Sequence, residues 1–223
     1  MSIPDDLLRR ATEPVMRKGL SVLQAYRFGD DEVAHCRALL AFLSPAKGAQ
    51  VLDVGCGIGG VARHMRHMRP DLSWILLNAS PWQLEQCADF EHRVCADMLH
   101  SGLPDACVDV VMVGYTFGYA DCEALLREFC RLLVPRGVLF IVDLHGHSSE
   151  FTSTFQYHTY TVDEMCLALS RRFDSIRIET PKDYSLAQLA TSMEDLPPDQ
   201  FVSSLKLFGA LKPVMYTACK PVC

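Results

Sequence analysis

Residues 51–60 read Val-Leu-Asp-Val-Gly-Cys-Gly-Ile-Gly-Gly, an apolar run that meets an acid and then a glycine turn. Val51 to Val54 carry the apolar, β-branched-rich side chains of a short buried strand. Four glycines in the six positions 55–60 allow a tight turn and a close approach of backbone to a ligand. The helix predicted next, from Gly59 to about Met68, would aim its free N–H groups back at that ligand.

Two ligands compete for such a turn. Gly55, Gly57 and Gly60 satisfy G-x-G-x-x-G, in which a dinucleotide pyrophosphate sits on the helix N-terminus. Asp53 stands two residues before the first glycine, however, and a carboxylate beside a pyrophosphate in a desolvated cleft is a repulsive contact. The same carboxylate suits a cationic ligand such as S-adenosylmethionine, which carries an ammonium and a sulfonium and no phosphate. The run D-V-G-C-G-I-G-G closely resembles the first motif of class I S-adenosylmethionine-dependent methyltransferases.

Outward from the turn, strands and helices alternate. Strands are predicted at 73–78, 93–96, 108–114, 138–144, 174–179 and 213–219, with helices at 81–89, 122–133 (ended by Pro135 and Gly137) and 162–172. Alternation of this kind implies a largely parallel sheet with helices on both faces and a ligand cleft beyond the strands' carboxyl ends. The count matches the three-layer, Rossmann-like α/β fold of the family, a seven-stranded, mostly parallel sheet with one reversed strand. The resemblance spans roughly residues 30–220. The whole chain, 1–223, reads as a single methyltransferase domain with an N-terminal helical lid (1–43) on a Rossmann-like core (44–223). The lid reads as two helices broken near Arg27-Phe28-Gly29, the second capped by Asp30, with Tyr26, Arg27 and Phe28 candidates to line the site.

Composition narrows the function. Net charge is −6, which argues against nucleic acid as a partner. The basic run Arg63 to Arg69 falls at a predicted helix end, where cations complement the macrodipole and face water. No apolar stretch has the length of a membrane span and the N-terminus lacks a basic-then-apolar signal, so a soluble cytoplasmic protein is expected. The ten cysteines, Cys219 and Cys223 among them, are scattered without any C-x-x-C pair and read as reduced, structural residues. A homodimer is compatible with all of this.

The resemblance implies a cofactor pocket. Gly55, Cys56 and Gly57 would lie under the methionine part of S-adenosylmethionine, with Asp53 towards its ammonium. At the end of the second strand the family usually has an acid for both ribose hydroxyls, and this chain has Asn78. Its amide can accept one bond and donate another, whereas a carboxylate there would accept both with charge assistance. Asn78-Ala79-Ser80-Pro81-Trp82-Gln83-Leu84 resembles an N-x-S-x-x-Q-L element in which Gln83 can also reach the ribose, with Ala79 a further cofactor-binding candidate. Cys95-Ala96-Asp97-Met98 resembles the adenine-end motif, which implies that Asp97 accepts from the exocyclic amine and the Met98 N–H meets a ring nitrogen; a turn cap is the alternative for Asp97. Val113, Gly114 and Tyr115 would close the pocket at the end of the fourth strand.

The chemistry is less legible. No N-P-P-Y tetrad or Pro-Cys nucleophile follows the fourth strand. Tyr115 stands where relatives that methylate prenyl diphosphates, sterols or fatty-acid chains commonly hold a glutamate, and an aromatic ring there could stabilise a cation. After the fifth strand come Asp143, His145, His147, Glu150, Tyr157, His158 and Tyr160. His145 or His147 could serve as general base, and no complete metal-ligand set is evident. The leading expectation is methyl transfer to a small-molecule acceptor. A nucleic-acid or protein methyltransferase, or a cofactor-binding partner protein without catalysis, are the alternatives.

Overall fold

The computed structural model describes residues 5–222, so the first four residues of the expected lid and Cys223 lie outside the described residues. Seven strands form one sheet: β1 (Gln50–Val54), β2 (Ser73–Asn78), β3 (His92–Cys95), β4 (Val108–Gly114), β5 (Leu133–His145), β6 (Asp174–Glu179) and β7 (Lys212–Cys219). Their spatial order is β3-β2-β1-β4-β5-β7-β6, with β7 antiparallel to both its neighbours and the other pairs parallel. Chain order reverses between β1 and β4, and a ligand cleft belongs at their carboxyl ends.

The helices are α1 (Asp5–Arg17), α2 (Glu32–Leu43), α3 (Gly60–Met68), α4 (Pro81–Glu85), α5 (Cys122–Leu132), α6 (Ser149–Phe155), α7 (Val162–Ser170), α8 (Ala187–Ser192) and α9 (Pro198–Gly209). Alternate side chains of each strand feed two cores. Val51, Leu76, Met112, Phe140 and Val142 pack on one face with Leu39 of α2 and Met65 of α3. Leu52, Val111, Val113 and Ile141 pack on the other with Phe129 of α5 and Leu169 of α7.

Several boundaries differ from expectation. The helix expected over 81–89 ends at Glu85. Pro135 and Gly137 do not terminate α5. They lie within β5, where the register with β4 jumps from Val108↔Leu133 to Val110↔Val138. Arg136 takes φ 64° at this bulge, and its N–H is satisfied by the Lys220 carbonyl at 3.0 Å. The cap of α2 is Asp31, whose side chain accepts from Ala34 N at 2.7 Å, and not Asp30. Between the two N-terminal helices, Arg27–Phe28 pairs with Tyr184–Ser185 as a two-stranded ribbon that joins this segment to the late part of the chain.

Candidate functional site

A cavity of about 330 Å³ opens over the carboxyl ends of β1, β2, β4 and β5. Gly55, Gly57, Asn78, Ala79, Gln83, Asp97, Met98, Gly114 and Tyr115 all line it. Sequence elements 60 residues apart therefore meet at one site.

The glycine turn is shaped by what lies on it. Gly55 and Gly57 take φ values of 69° and 55°, a region costly for residues with a Cβ. A Cβ on Gly60 would lie 2.0 Å from the Ser21 carbonyl oxygen, so residues 21–23 sit directly on the start of α3. Glu32 holds them there, accepting from Ser21 N at 2.9 Å and Val22 N at 2.8 Å. Burial pushes the Glu32 carboxyl up, but hydrogen bonds from Val22, Ser21 and His64 outweigh it and keep the group below its ordinary range.

Asp53 and Cys56 do not line the cavity. Asp53 is buried on the α2–α3 face of β1, its Oδ2 has no partner, and burial raises its pKa to about 7. An orphaned carboxylate oxygen at that depth needs a proton or a cation. Cys56 points at its own turn, its thiol 3.6 Å from the Gly57 carbonyl.

At the end of β2 the Asn78 carboxamide is fully engaged. Nδ2 donates to Gln83 Oε1 at 2.9 Å and to the Gly57 carbonyl at 3.3 Å, and Oδ1 accepts from Ser80 N at 3.1 Å. Gln83 Nε2 donates to Thr12 of α1 at 3.0 Å. Asp97 caps its own turn, accepting from Leu99 N at 2.8 Å, while still bordering the cavity.

A second buried relay approaches over β4. His35 Nδ1 accepts from Phe28 N at 3.0 Å, so Nε2 bears the proton and donates to Gln24 Oε1 at 2.6 Å. Burial holds this imidazole neutral, its pKa lowered to about 4. A Cβ on Gly114 would come within 2.5 Å of Gln24 Nε2, so the amide lies over that glycine at the cavity wall. Sequence reading missed Thr12 of α1 and also Leu23 and Gln24, which stand two to three positions before the expected Tyr26; Tyr26, Arg27 and Phe28 themselves do not line the cavity. Tyr26 instead anchors α9, its hydroxyl donating to the Leu211 carbonyl at 2.8 Å and close to that of Phe208.

Tyr115 is a left-handed non-glycine residue, φ 54°, with a buried hydroxyl that has no partner. Burial, then the nearby Asp143 carboxylate, raises its pKa far above the ordinary phenol value. The group is thus a hydrogen-bond donor and not a base. Asp143 accepts from Phe117 N at 3.1 Å and from Tyr157 Oη, and burial raises its pKa to about 7.

The two histidines expected as bases are elsewhere. His145 is buried beside Tyr216 and Tyr160, on the sheet face away from the cavity, with Nδ1 2.9 Å from the Tyr160 carbonyl. Side chains alternate along β5, so Leu144 faces the cavity and His145 cannot. His147 is 69% exposed, 3.7 Å from Glu164, in a surface depression. Among the described residues no group of three His, Cys, Asp or Glu side chains could hold a metal ion, and no helix is long and apolar enough to cross a membrane. In the basic run, Arg63 and Arg66 pair with Asp89 and Arg69 with Asp71.

Residues 52–141 match the family described as "Methyltransferase domain". The malonyl-acyl-carrier-protein O-methyltransferase of Dechloromonas aromatica is 30% identical over 109 residues, 49% of this chain and 42% of that protein. The sterol 24-C-methyltransferase erg6 of Aspergillus fumigatus is 31% identical over 107 residues, 44% of this chain and 28% of that protein. The chain thus spans less than half the length of these two relatives. Among solved structures, geranyl diphosphate C-methyltransferase from Streptomyces coelicolor matches 98% of this chain and 99% of its own, with TM-score 0.74 and 16% identity. The cyclase SpnF matches 97% and 94%, with TM-score 0.77 and 15% identity. At such identities the likeness concerns the fold.

Proposed function

We propose that this chain, which belongs to the class I S-adenosylmethionine-dependent methyltransferase family, transfers a methyl group from S-adenosylmethionine to a small-molecule acceptor. The observation that carries the reading is the buried, unpartnered Asp53 carboxylate at the root of a glycine turn that lines the cavity. A cation bound on that turn would balance the buried carboxylate, and a pyrophosphate there would be repelled by it.

Bound S-adenosylmethionine supplies an electrophilic methyl on a sulfonium. Asp53 would balance its ammonium from beneath the turn, and the backbone of Gly55, Cys56 and Gly57 would pack along the methionine moiety. Asn78, Ala79 and Gln83 stand at the ribose, Asp97 and the Met98 N–H at the adenine, and Gly114 at the turn between cofactor and acceptor. Residues 1–43 act in this reading as a lid on a 44–223 core, within one domain. Tyr115 would donate to an oxygen on the acceptor, and alignment in a water-poor cavity would supply much of the acceleration. His145 and His147 have no role in transfer. The net charge and the internally paired arginines 63, 66 and 69 favour a small molecule over nucleic acid.

A second reading is a cofactor-binding protein without transfer activity. It is favoured by the lining itself, in which, among the described residues, Asp97 is the one carboxylate and no histidine stands ready as a base.

Calorimetry with S-adenosylmethionine and S-adenosylhomocysteine tests the first step. Binding in the micromolar range is expected, weakened more than about tenfold in Asp53→Ala. Absence of binding in the unaltered protein overturns the proposal, and equal affinity in both removes Asp53 from it. Labelled cofactor incubated with metabolite extracts then separates transferase from binding protein.

A further inference from the structure

The cavity has two chemically different ends. Over β1 to β3 it is lined by glycine backbone, the Asn78 and Gln83 amides and Asp97. Beyond β4 and β5 it is closed by Leu144, Phe151, Phe155, Leu189, Met193 and Phe208. The roof there is an aromatic cluster, with ring centres of Phe151 and Phe155 lying 4.8 Å and 5.0 Å from that of Phe208. Tyr26, bonded to the carbonyls at the end of α9, holds the roof in place. No Lys, Arg or His is among the described residues that line any part of the cavity, and no carboxylate–histidine cluster stands by to hold a divalent cation. Tyr115 also lines the cavity, and its buried hydroxyl has no hydrogen-bond partner.

We propose that this second end takes a neutral, largely apolar acceptor, an aliphatic or fused-ring body bearing one oxygen function, and excludes phosphorylated acceptors. The inference deepens the methyltransferase reading and rests on it only for what the first end holds. A phosphate or diphosphate brings at least one full charge into a desolvated pocket, which is tolerated only against fixed cations or a metal. This pocket offers neither. An apolar body gains from every aliphatic and aromatic contact that displaces water, and one oxygen is enough to satisfy the orphan phenol. The roof helices α6, α8 and α9 all lie outside residues 52–141, so the acceptor end is built from parts of the chain that the family match does not cover.

The test is calorimetry on the full chain, with and without S-adenosylhomocysteine, using decanol, naphthol, geranyl diphosphate and phosphoethanolamine as probes. Decanol or naphthol is expected to bind at least about tenfold more tightly than either phosphorylated probe. Met193→Lys should weaken decanol about tenfold and strengthen geranyl diphosphate, with S-adenosylhomocysteine affinity changed less than about threefold. Phe155→Lys makes the same change from α6 should Met193→Lys fail to fold. A phosphorylated or amine probe that binds the unaltered protein as tightly as the alcohols overturns the proposal, as does decanol affinity indifferent to both lysines. Alcohol binding without S-adenosylhomocysteine binding supports this end while overturning the enzymatic reading, so the two failures are distinguishable.

Discussion

Asn78 Nδ2 lies 2.9 Å from Gln83 Oε1 and 3.3 Å from the Gly57 carbonyl oxygen, and it donates to both. Gln83 continues the connection to Thr12, so one buried chain of amides joins the glycine turn, α4 and the N-terminal helix. The position is therefore occupied by a donor for a local reason, independent of any ribose.

That geometry reverses the expectation that a carboxylate at 78 would serve the cofactor better. In Asn78→Asp an acceptor oxygen replaces Nδ2 and faces the Gly57 carbonyl with nothing between them. S-adenosylhomocysteine affinity should fall about tenfold, and unfolding by urea should show a loss of about 1–3 kcal/mol. Tighter binding by calorimetry would mean that the carboxylate turns to the ribose and the turn tolerates the lost bonds.

Asp53 couples binding to pH. Its carboxyl is raised to about 7 by burial, so below neutrality the free protein holds a proton that a cationic ligand must displace. Affinity should climb with pH up to about 7, by as much as about tenfold per unit, and level off above it. At about pH 6 the heat of binding in phosphate and in Tris should differ by the release of about one proton. Asp53→Asn should abolish both effects. A buffer-independent heat in the unaltered protein would show that Asp53 does not meet the ligand charge.

How much of this was legible depended on the range of the interactions. The decamer at 51–60, the strands 73–78, 108–114 and 174–179 and the glycine-turn residues of the cavity follow from local pattern, because strand period and positive φ are written in neighbouring residues. Ser149–Phe155 escaped notice because Ser, Thr and Phe are weak helix formers and the helix is held by its Ser148 cap and by burial of Phe151. The placement of His145 went wrong for a different reason. A polar residue in a loop-like stretch reads as exposed and functional, yet β5 runs on to residue 145 and its alternation turns the ring to the far face. Gln24 was invisible, since its meaning comes from His35 and from the absent side chain at Gly114.

Four buried groups dominate the pH dependence of stability between about pH 5 and 7. His35 and His145 are lowered to about 4, so each loses stability as pH falls below about 6.5, where the unfolded chain gains a proton that the native state refuses. Asp53 and Asp143 are raised to about 7, so each gains stability as pH falls through about 7, where the native state holds a proton that the unfolded chain lacks. Between about pH 5 and 6 the two pairs cancel and urea unfolding should be nearly flat with pH. Asp53→Asn removes one partner, and stability should then fall about 1.4 kcal/mol per unit as pH is lowered across that interval. A flat profile in both proteins would overturn the assignment.

Gly60 tests the seating of the lid segment. It is helical, so Gly60→Ala would favour α3 by local propensity, but the added Cβ meets the Ser21 carbonyl oxygen at 2.0 Å. Crowding should win, with about 1–3 kcal/mol lost and cofactor affinity reduced as residues 21–23 lift from the turn. Gly48→Ala, where nothing lies within 4 Å but φ is 75°, should cost about 1 kcal/mol and leave binding unchanged. Stabilisation by Gly60→Ala would show that the segment is not seated there.

Tyr115→Phe separates architecture from chemistry. The ring packs 6.4 Å from that of Tyr26 and the variant keeps it, so only the orphan hydroxyl is lost. Removing a buried donor with no partner should leave stability unchanged or raise it by about 1 kcal/mol. S-adenosylhomocysteine affinity should stay within about threefold, since no cofactor atom is assigned to this oxygen. Turnover on the acceptor found with labelled cofactor should fall about tenfold or more, because the donor proposed to align the acceptor oxygen is gone. The strained backbone at φ 54° would then have a purpose, holding that hydroxyl where the acceptor oxygen sits. Full turnover in Tyr115→Phe would transfer acceptor alignment to the apolar walls alone, and a loss of cofactor binding would move Tyr115 into the cofactor end.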